Sequence, residues 1–188
     1  QAVGGLRPRL AGLGRARLQR GEVATLLVAG GQGSRLGTPG PKGCFVLGPS
    51  SDRSLYATLA ERVVAAGVRA GRAVPLVVLV AEETGQATRE AFEAGSGPWG
   101  LSAGHVAFVR QGELPAFDAA GRALLKAPGQ LALSPDGHGG ALSALAAAGV
   151  LGGLLARGVR VLPPFQVDNP LALPLDPVML GWQVERGA

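Results

Sequence analysis

The chain has 188 residues, with 18 Lys and Arg against 13 Asp and Glu, two His and a single Cys. That length fits one compact domain with a sizeable core. One cysteine excludes a disulfide framework and a Cys-rich zinc site, the lack of any stretch of about 18 uncharged apolar residues excludes a spanning helix, and 47% hydrophobic against 16% charged residues excludes wholesale disorder.

A net charge of +5 points to acidic or phosphorylated partners. The cations are nearly all arginine. Lys42 and Lys126 are the only lysines, and clustering is confined to Arg7, Arg9, Arg15, Arg17 and Arg20, which are read as solvated. Aromatics make up 4% of the chain. Without a stacking platform or a recognition module, nucleic acid is not the expected partner.

In chain order, residues 1–20 read as a basic lead-in with marginal helical spacing. The run Val23–Ala29 (VATLLVA) is short, apolar and bounded by Gly21 and Gly30, as expected of a strand buried on both faces. Gly30–Gly43 is a Gly/Pro loop. Ser54 is placed to cap a helix running to about Ala66, with Gly67 and Gly71 ending it. Val74–Val80 is a second buried strand, Thr84–Ala94 a short helix and His105–Val109 a third strand. Leu114–Phe117 and Ala123–Leu125 flank a hairpin tip at Ala120-Gly121. Ala127–Gly140 reads as a second Gly/Pro loop and Ala141–Ala156 as one Ala/Leu-rich helix. Val159–Val167 is a fourth strand interrupted by Pro163-Pro164, and Asp176–Val184 a final helix with Pro177 in its first turn. Strands alternating with helices predict βαβ units and a mostly parallel sheet covered on both faces.

The first loop carries the most chemistry. A buried strand feeds into Gly30, Gly31, Gly33 and Gly37, whose backbone N–H groups can approach a phosphate with no Cβ in the way. Arg35 and Lys42 add two cations. A dinucleotide loop of the G-x-G-x-x-G type does not fit, because Gly37 comes one residue too late and Pro39 and Pro41 forbid an immediate helix. A Walker loop does not fit either, because Lys42 is flanked by Pro41 and Gly43. The run Gly30-Gly31-Gln32-Gly33-Ser34-Arg35-Leu36, followed by Pro41-Lys42, matches the loop of sugar nucleotidyltransferases. Ser34 has no visible triad partner, Cys44 reads as a packing residue, His105 as structural, and Arg62 beside Glu61 as a helix-face pair.

With the later blocks SLYATLAERV, RQGELPAF, SPDGHGGALSAL and VDNPLALPLDPVMLGW, the sequence resembles the UDP-sugar pyrophosphorylase family, most of all its UDP-N-acetylhexosamine pyrophosphorylase branch. The resemblance runs from about Val23 to Trp182 and covers the N-terminal part of that family. It implies a three-layer α/β/α fold of the nucleotide-diphospho-sugar transferase (GT-A-like, Rossmann-like) type, incomplete in this chain. Residues 21–188 would be the UTP-binding portion of the catalytic domain, with the sugar-binding portion absent.

The activity implied is transfer of UMP from UTP to a sugar 1-phosphate, with N-acetylglucosamine 1-phosphate ahead of glucose 1-phosphate, giving UDP-sugar and pyrophosphate. A non-catalytic uridine-nucleotide-binding module is the other reading. By the resemblance, Arg35 and Lys42 hold the triphosphate and leaving pyrophosphate, and Val28, Ala29, Gly30, Gly31 and Gly33 line the nucleotide. Gln111 and Gly137 read uracil, and His138 contacts the nucleotide. Asn169 contacts the sugar, and Asp168 holds Mg²⁺. His138 blurs the choice of sugar and, with the Ala/Gly/Arg bias, suggests a bacterial source. The expected setting is cytoplasmic, with no nucleic acid and no membrane partner.

Overall fold

The computed structural model describes residues 3–33, 36–37, 40–48, 51–95, 97–102 and 104–187. The strands β1 (Thr25–Val28), β2 (Leu76–Val80), β3 (Val106–Arg110) and β8 (Pro164–Gln166) form a parallel sheet in the order β3-β2-β1-β8. β1 lies in the middle, with Leu27 in register with Val78 on one side and Phe165 on the other. A central parallel strand has no wet face, which is why its sequence is an apolar run and not an alternation.

The period of two still sorts side chains between layers. Leu27, Leu76, Val78 and Val80 join one core with α2 (Leu55–Ala70), α3 (Glu82–Gly95) and α6 (Pro177–Arg186). Leu26, Val77 and Leu79 join another with α4 (Ala141–Ala147) and α5 (Val150–Ala156). This is the three-layer α/β/α arrangement expected. The buried hydroxyl of Thr25, the polar exception in β1, donates to the Pro163 carbonyl at 2.9 Å.

Local signals act as read at several boundaries. Ser54 caps α2 by accepting the Ala57 N–H at 3.1 Å, and Gly71 closes it in the left-handed region. Gly67, read as a stop, lies inside the helix, where a Cβ would come within 2.8 Å of the Arg72 carbonyl oxygen. Asp176 caps α6 through the Val178 N–H at 2.8 Å. The tip at Ala120-Gly121 closes between Phe117 and Ala123.

Other expectations are corrected. Residues 3–20 form an 18-residue helix, α1 (Val3–Arg20), although Pro8 and four glycines lie inside it. Each interior glycine costs roughly 1 kcal/mol, so local propensity alone predicts little helix. Tertiary contact reverses the outcome. Gly14 and Gly181 bring α1 and α6 together so closely that a Cβ on either would sit 1.9 Å from a carbonyl oxygen of the other helix. Leu10 and Leu18 of α1 are buried.

The segment read as a second loop begins at the last residue of β5 (Leu125–Ala127) and holds two further short strands, β6 (Gln130–Leu131) and β7 (Leu133–Pro135). β7 pairs antiparallel with β4 (Glu113–Pro115) and β5 with β6. The single helix read over 141–156 breaks into α4 and α5 at Gly149, whose φ of 72° is left-handed. The fourth strand is shorter than read, with Val161 making only an isolated bridge to Val23. Among the described residues no helix is long and apolar enough to cross a membrane.

Tyr56 of α2 is fully buried and its hydroxyl lies 3.0 Å from Thr88 Oγ1. Burial pushes the phenol up to about 12. Its folded value lies above the unfolded one of about 10. The stabilisation is therefore complete below pH 10 and is lost as pH rises through 12, an effect of about 2–3 kcal/mol. Urea unfolding at pH 9 and pH 12 is expected to show this loss in the wild type and a smaller one in Tyr56→Phe.

Candidate functional site

The strand order leads the chain outward from β1 through β2 to β3, then back to the other side of β1. The loops after β1 and β8 therefore diverge and open a crevice at the carboxyl ends of the strands, where open α/β sheets bind ligands. Val28 and Ala29 end β1 there. The Val28 carbonyl accepts from Val167 N–H at 3.1 Å, and Ala29 N–H donates to Leu79 at 2.8 Å.

The glycine loop then folds back on itself. Gly33 N–H donates to the Gly40 carbonyl at 2.8 Å and Lys42 N–H to the Gly31 carbonyl at 3.1 Å. This return places the Lys42 side chain over Gly31, where a Cβ would lie 3.5 Å from Nζ. The next residue, Gly43, packs on the buried ring of Tyr56, and a Cβ there would lie 2.1 Å from the ring. The base of the loop is thus anchored in the core while the ammonium is delivered to the crevice. Ser34 and Arg35 lie outside the described residues.

Asp168 follows β8, and its Oδ2 is 3.0 Å from Lys42 Nζ. Two residues 126 positions apart, each picked out by sequence, meet in the crevice. Asp168 is 46% exposed and Lys42 23%, so both remain within reach of a ligand. Asn169 turns the chain away, its N–H donating to the Gln166 carbonyl and its Oδ1 accepting the Leu171 N–H at 3.1 Å.

Gln111 leaves β3 with its N–H on the Val80 carbonyl at 2.8 Å and is 5% exposed. Its carboxamide lies against Gly30, where a Cβ would come within 2.4 Å of Nε2. An amide offers both donor and acceptor to a mixed hydrogen-bonding edge such as uracil's. Gly30 is therefore required by Gln111 as well as by the loop. Gly30→Ala is expected to keep the fold, because the clash falls on the end of a flexible side chain, yet to displace Gln111 and, on the resemblance that makes Gln111 a reader of uracil, to weaken uridine-nucleotide binding about tenfold. Calorimetric titration alongside circular dichroism checks both halves.

The β4–β7 pair returns the chain, and Asp136 N–H donates to the Gly112 carbonyl at 3.0 Å. Gly137 follows in the left-handed region with φ 67°. His138 Nε2 lies 3.1 Å from Nε2 of Gln166, the last residue of β8, two positions before Asp168.

Sequence reasoning missed three members of this surround. Gln166 holds His138, and its signal was its place two residues before Asp168. The Asp136 carboxylate packs against Gly112 and Gly140 with a buried, unpartnered Oδ1. Its sequence, Pro-Asp-Gly, reads only as a turn. The Gln32 carboxamide donates to Glu83, whose other oxygen is 3.5 Å from Lys126 Nζ, and no local pattern announces that. Arg62 does not pair with Glu61. Glu61 takes Arg53 at 2.7 Å, and Arg62 donates to the Ala172 carbonyl at 2.9 Å. Cys44 packs against the core, and burial raises its thiol pKa.

The partly exposed Asp168 carboxylate is the kind of hard oxygen donor that suits Mg²⁺, which takes one or two protein carboxylates and completes its shell with phosphate oxygens and water. Among the described residues no cluster of three His, Cys, Asp or Glu forms an all-protein metal cage. The donor set therefore fits a metal that arrives with a polyphosphate.

A family profile described as UTP--glucose-1-phosphate uridylyltransferase matches residues 14–188. A probable UDP-N-acetylglucosamine pyrophosphorylase of Schizosaccharomyces pombe is 37% identical over 177 residues, 89% of this chain and 37% of that protein. The UDP-N-acetylglucosamine pyrophosphorylase of Saccharomyces cerevisiae is 36% identical over 179 residues, 93% of this chain and 37% of that protein. The crystal structure of the Trypanosoma brucei uridine diphosphate N-acetylglucosamine pyrophosphorylase in complex with inhibitor superposes with a TM-score of 0.91 at 29% identity, covering all of this chain and 40% of that one. The chain thus spans about two fifths of the proteins it matches.

Proposed function

The chain belongs to the UTP--glucose-1-phosphate uridylyltransferase family, and from that premise we propose that it forms the UTP-gripping portion of an enzyme moving UMP from UTP to a sugar 1-phosphate. N-acetylglucosamine 1-phosphate is the favoured acceptor, supported by the names of the fungal relatives. The products are the UDP-sugar and pyrophosphate, and cytosolic substrates favour the cytoplasm as the setting. The single observation carrying the reading is the meeting of Lys42 and Asp168 over Gly31, in the crevice beside β1.

The chemistry asks little of an acid or base. A phosphate oxygen of the sugar 1-phosphate, already anionic, attacks the α-phosphorus in line, and the bond to the β-phosphate oxygen breaks. What the protein supplies is placement and charge neutralisation. Lys42 neutralises the β- and γ-phosphates as pyrophosphate leaves, and Arg35 is the second cation the loop sequence offers. Backbone groups at Gly30 and Gly31 cradle the nucleotide, Gln111 reads the uracil edge, Gly137 lies against the base and His138 contacts the nucleotide. Asn169 contributes to the sugar side. Asp168 would hold Mg²⁺, which supplies further neutralisation of the phosphate oxygens when bound.

Titration of the 188-residue chain with UTP, CTP and ATP, each with and without Mg²⁺, tests the reading. UTP with Mg²⁺ is expected to bind at least tenfold tighter than CTP or ATP. Equal binding of all three, or none of any, refutes it.

A further inference from the structure

The arginines near the start of the chain fall into two groups. Arg9 is held by Glu185 at 2.5 and 2.8 Å, and Arg17 and Arg20 face Glu22 at 3.5 and 2.6 Å. The expectation that all five are merely solvated is therefore corrected for these three. Arg7 and Arg15 have no carboxylate partner among the described residues, and both are exposed. They line a recess between α1, α2 and residues 173–177, to which α2 contributes Arg62 and Arg69. Its two adjoining parts measure about 390 and 230 Å³ and share an apolar floor that includes Ala66 and Leu175. The acid in its lining, Asp176, is committed to capping α6. Four guanidinium groups thus surround an apolar groove with one carboxylate among them.

We infer that this groove docks an acidic, partly apolar peptide segment of another protein, lying extended between α1 and α2. Charge complementarity calls for carboxylates, and the planar guanidinium fork accepts them bidentately. Spacing calls for an extended chain. Arg62 and Arg69 are seven residues apart on a helix, a rise of about 10 Å. Carboxylates three residues apart on a peptide extended as polyproline II lie on one face and repeat at about 9 Å, close to that distance. The apolar floor suits a leucine between them. No aromatic residue lines the groove to stack a base, and a recess ringed by cations differs from the protruding apolar face that inserts into a membrane surface. The inference does not depend on the uridylyltransferase reading.

The test uses the 188-residue chain and a fluorescein-labelled synthetic peptide of about seven residues, carrying two glutamates three positions apart with leucine between them, followed by anisotropy. Saturable binding is expected. It should weaken at least tenfold in Arg7→Glu and in Arg69→Glu, and for a peptide with glutamine in place of glutamate. It should be unchanged in Arg157→Glu, which alters charge equally at the end of α5. Arg7 and Arg69 are exposed, and circular dichroism is to check that their variants fold. Absence of peptide binding, equal weakening in Arg157→Glu, or unaltered binding in Arg7→Glu/Arg69→Glu overturns the proposal. So does preferential capture of anionic vesicles or oligouridylate with the same variant pattern. Self-association of the chain that Arg69→Glu abolishes overturns it in favour of a second copy as the occupant.

Discussion

Lys42→Met is expected to lower uridylyl transfer by about 10²–10³-fold and to weaken UTP binding whether or not Mg²⁺ is present, while Asp168→Asn abolishes only the Mg²⁺-dependent increment. The two side chains touch at 3.0 Å, so a purely structural pair would respond alike to either change. The proposed roles differ in sign. Removing the ammonium takes away a cation that phosphate needs. Removing the carboxylate frees that cation and takes away the metal's protein ligand, so metal-free UTP binding should hold or tighten. Stability distinguishes the readings further. Partly exposed ion pairs are worth about 0–1 kcal/mol, so neither variant should lower Tm by more than roughly 4 °C at this chain length. A transfer assay, titration with and without Mg²⁺, and thermal unfolding together check all of this. Parallel losses in both variants, or unfolding in either, would make the contact a structural tie and remove the basis for the crevice as a phosphate site.

The second large effect concerns the helix that propensity does not predict. Gly181→Val is expected to cost about 3 kcal/mol or more, because its Cβ would lie 1.9 Å from the Leu10 carbonyl oxygen, and backbone, unlike a side-chain tip, cannot swing aside. That corresponds to a fall of roughly 6–12 °C in Tm for a chain of this size. Separation of α1 from α6 should also expose Leu10 and Leu18, each worth roughly 1.5–3 kcal/mol when buried. Hydrogen exchange is expected to show α1 opening while β1 and β2 stay protected. A variant as stable as the wild type would mean that the two helices do not cross so closely.

Residues 3–20 show what could and could not be read. Four glycines and Pro8 argue against a helix, and they do so correctly for an isolated peptide. One of those glycines, Gly14, is where α6 approaches, a fact residing in Pro177, more than 160 positions away. Arg9 of the same segment reads as solvated because its partner, Glu185, is equally remote. By sequence Arg62 pairs with its neighbour Glu61, whereas α2 turns it towards Ala172. The break at Gly149 is not legible in the sequence because glycines also stand at 152 and 153, and only packing chooses among them.

By itself the sequence determined whatever depends on neighbours within a few positions. Apolar runs made the buried strands, Ser54 and Asp176 made the helix caps, and the order of glycines and cations in the first loop pointed to a phosphate. The tertiary structure alone decided the partnerships: Lys42 with Asp168, Gln111 with Gly30, His138 with Gln166, and α1 with α6. The physical reason is that local torsional and capping preferences are complete within one turn or one strand. A contact across the chain exists only once hydrophobic burial has brought the layers together, and that depends on every segment at once.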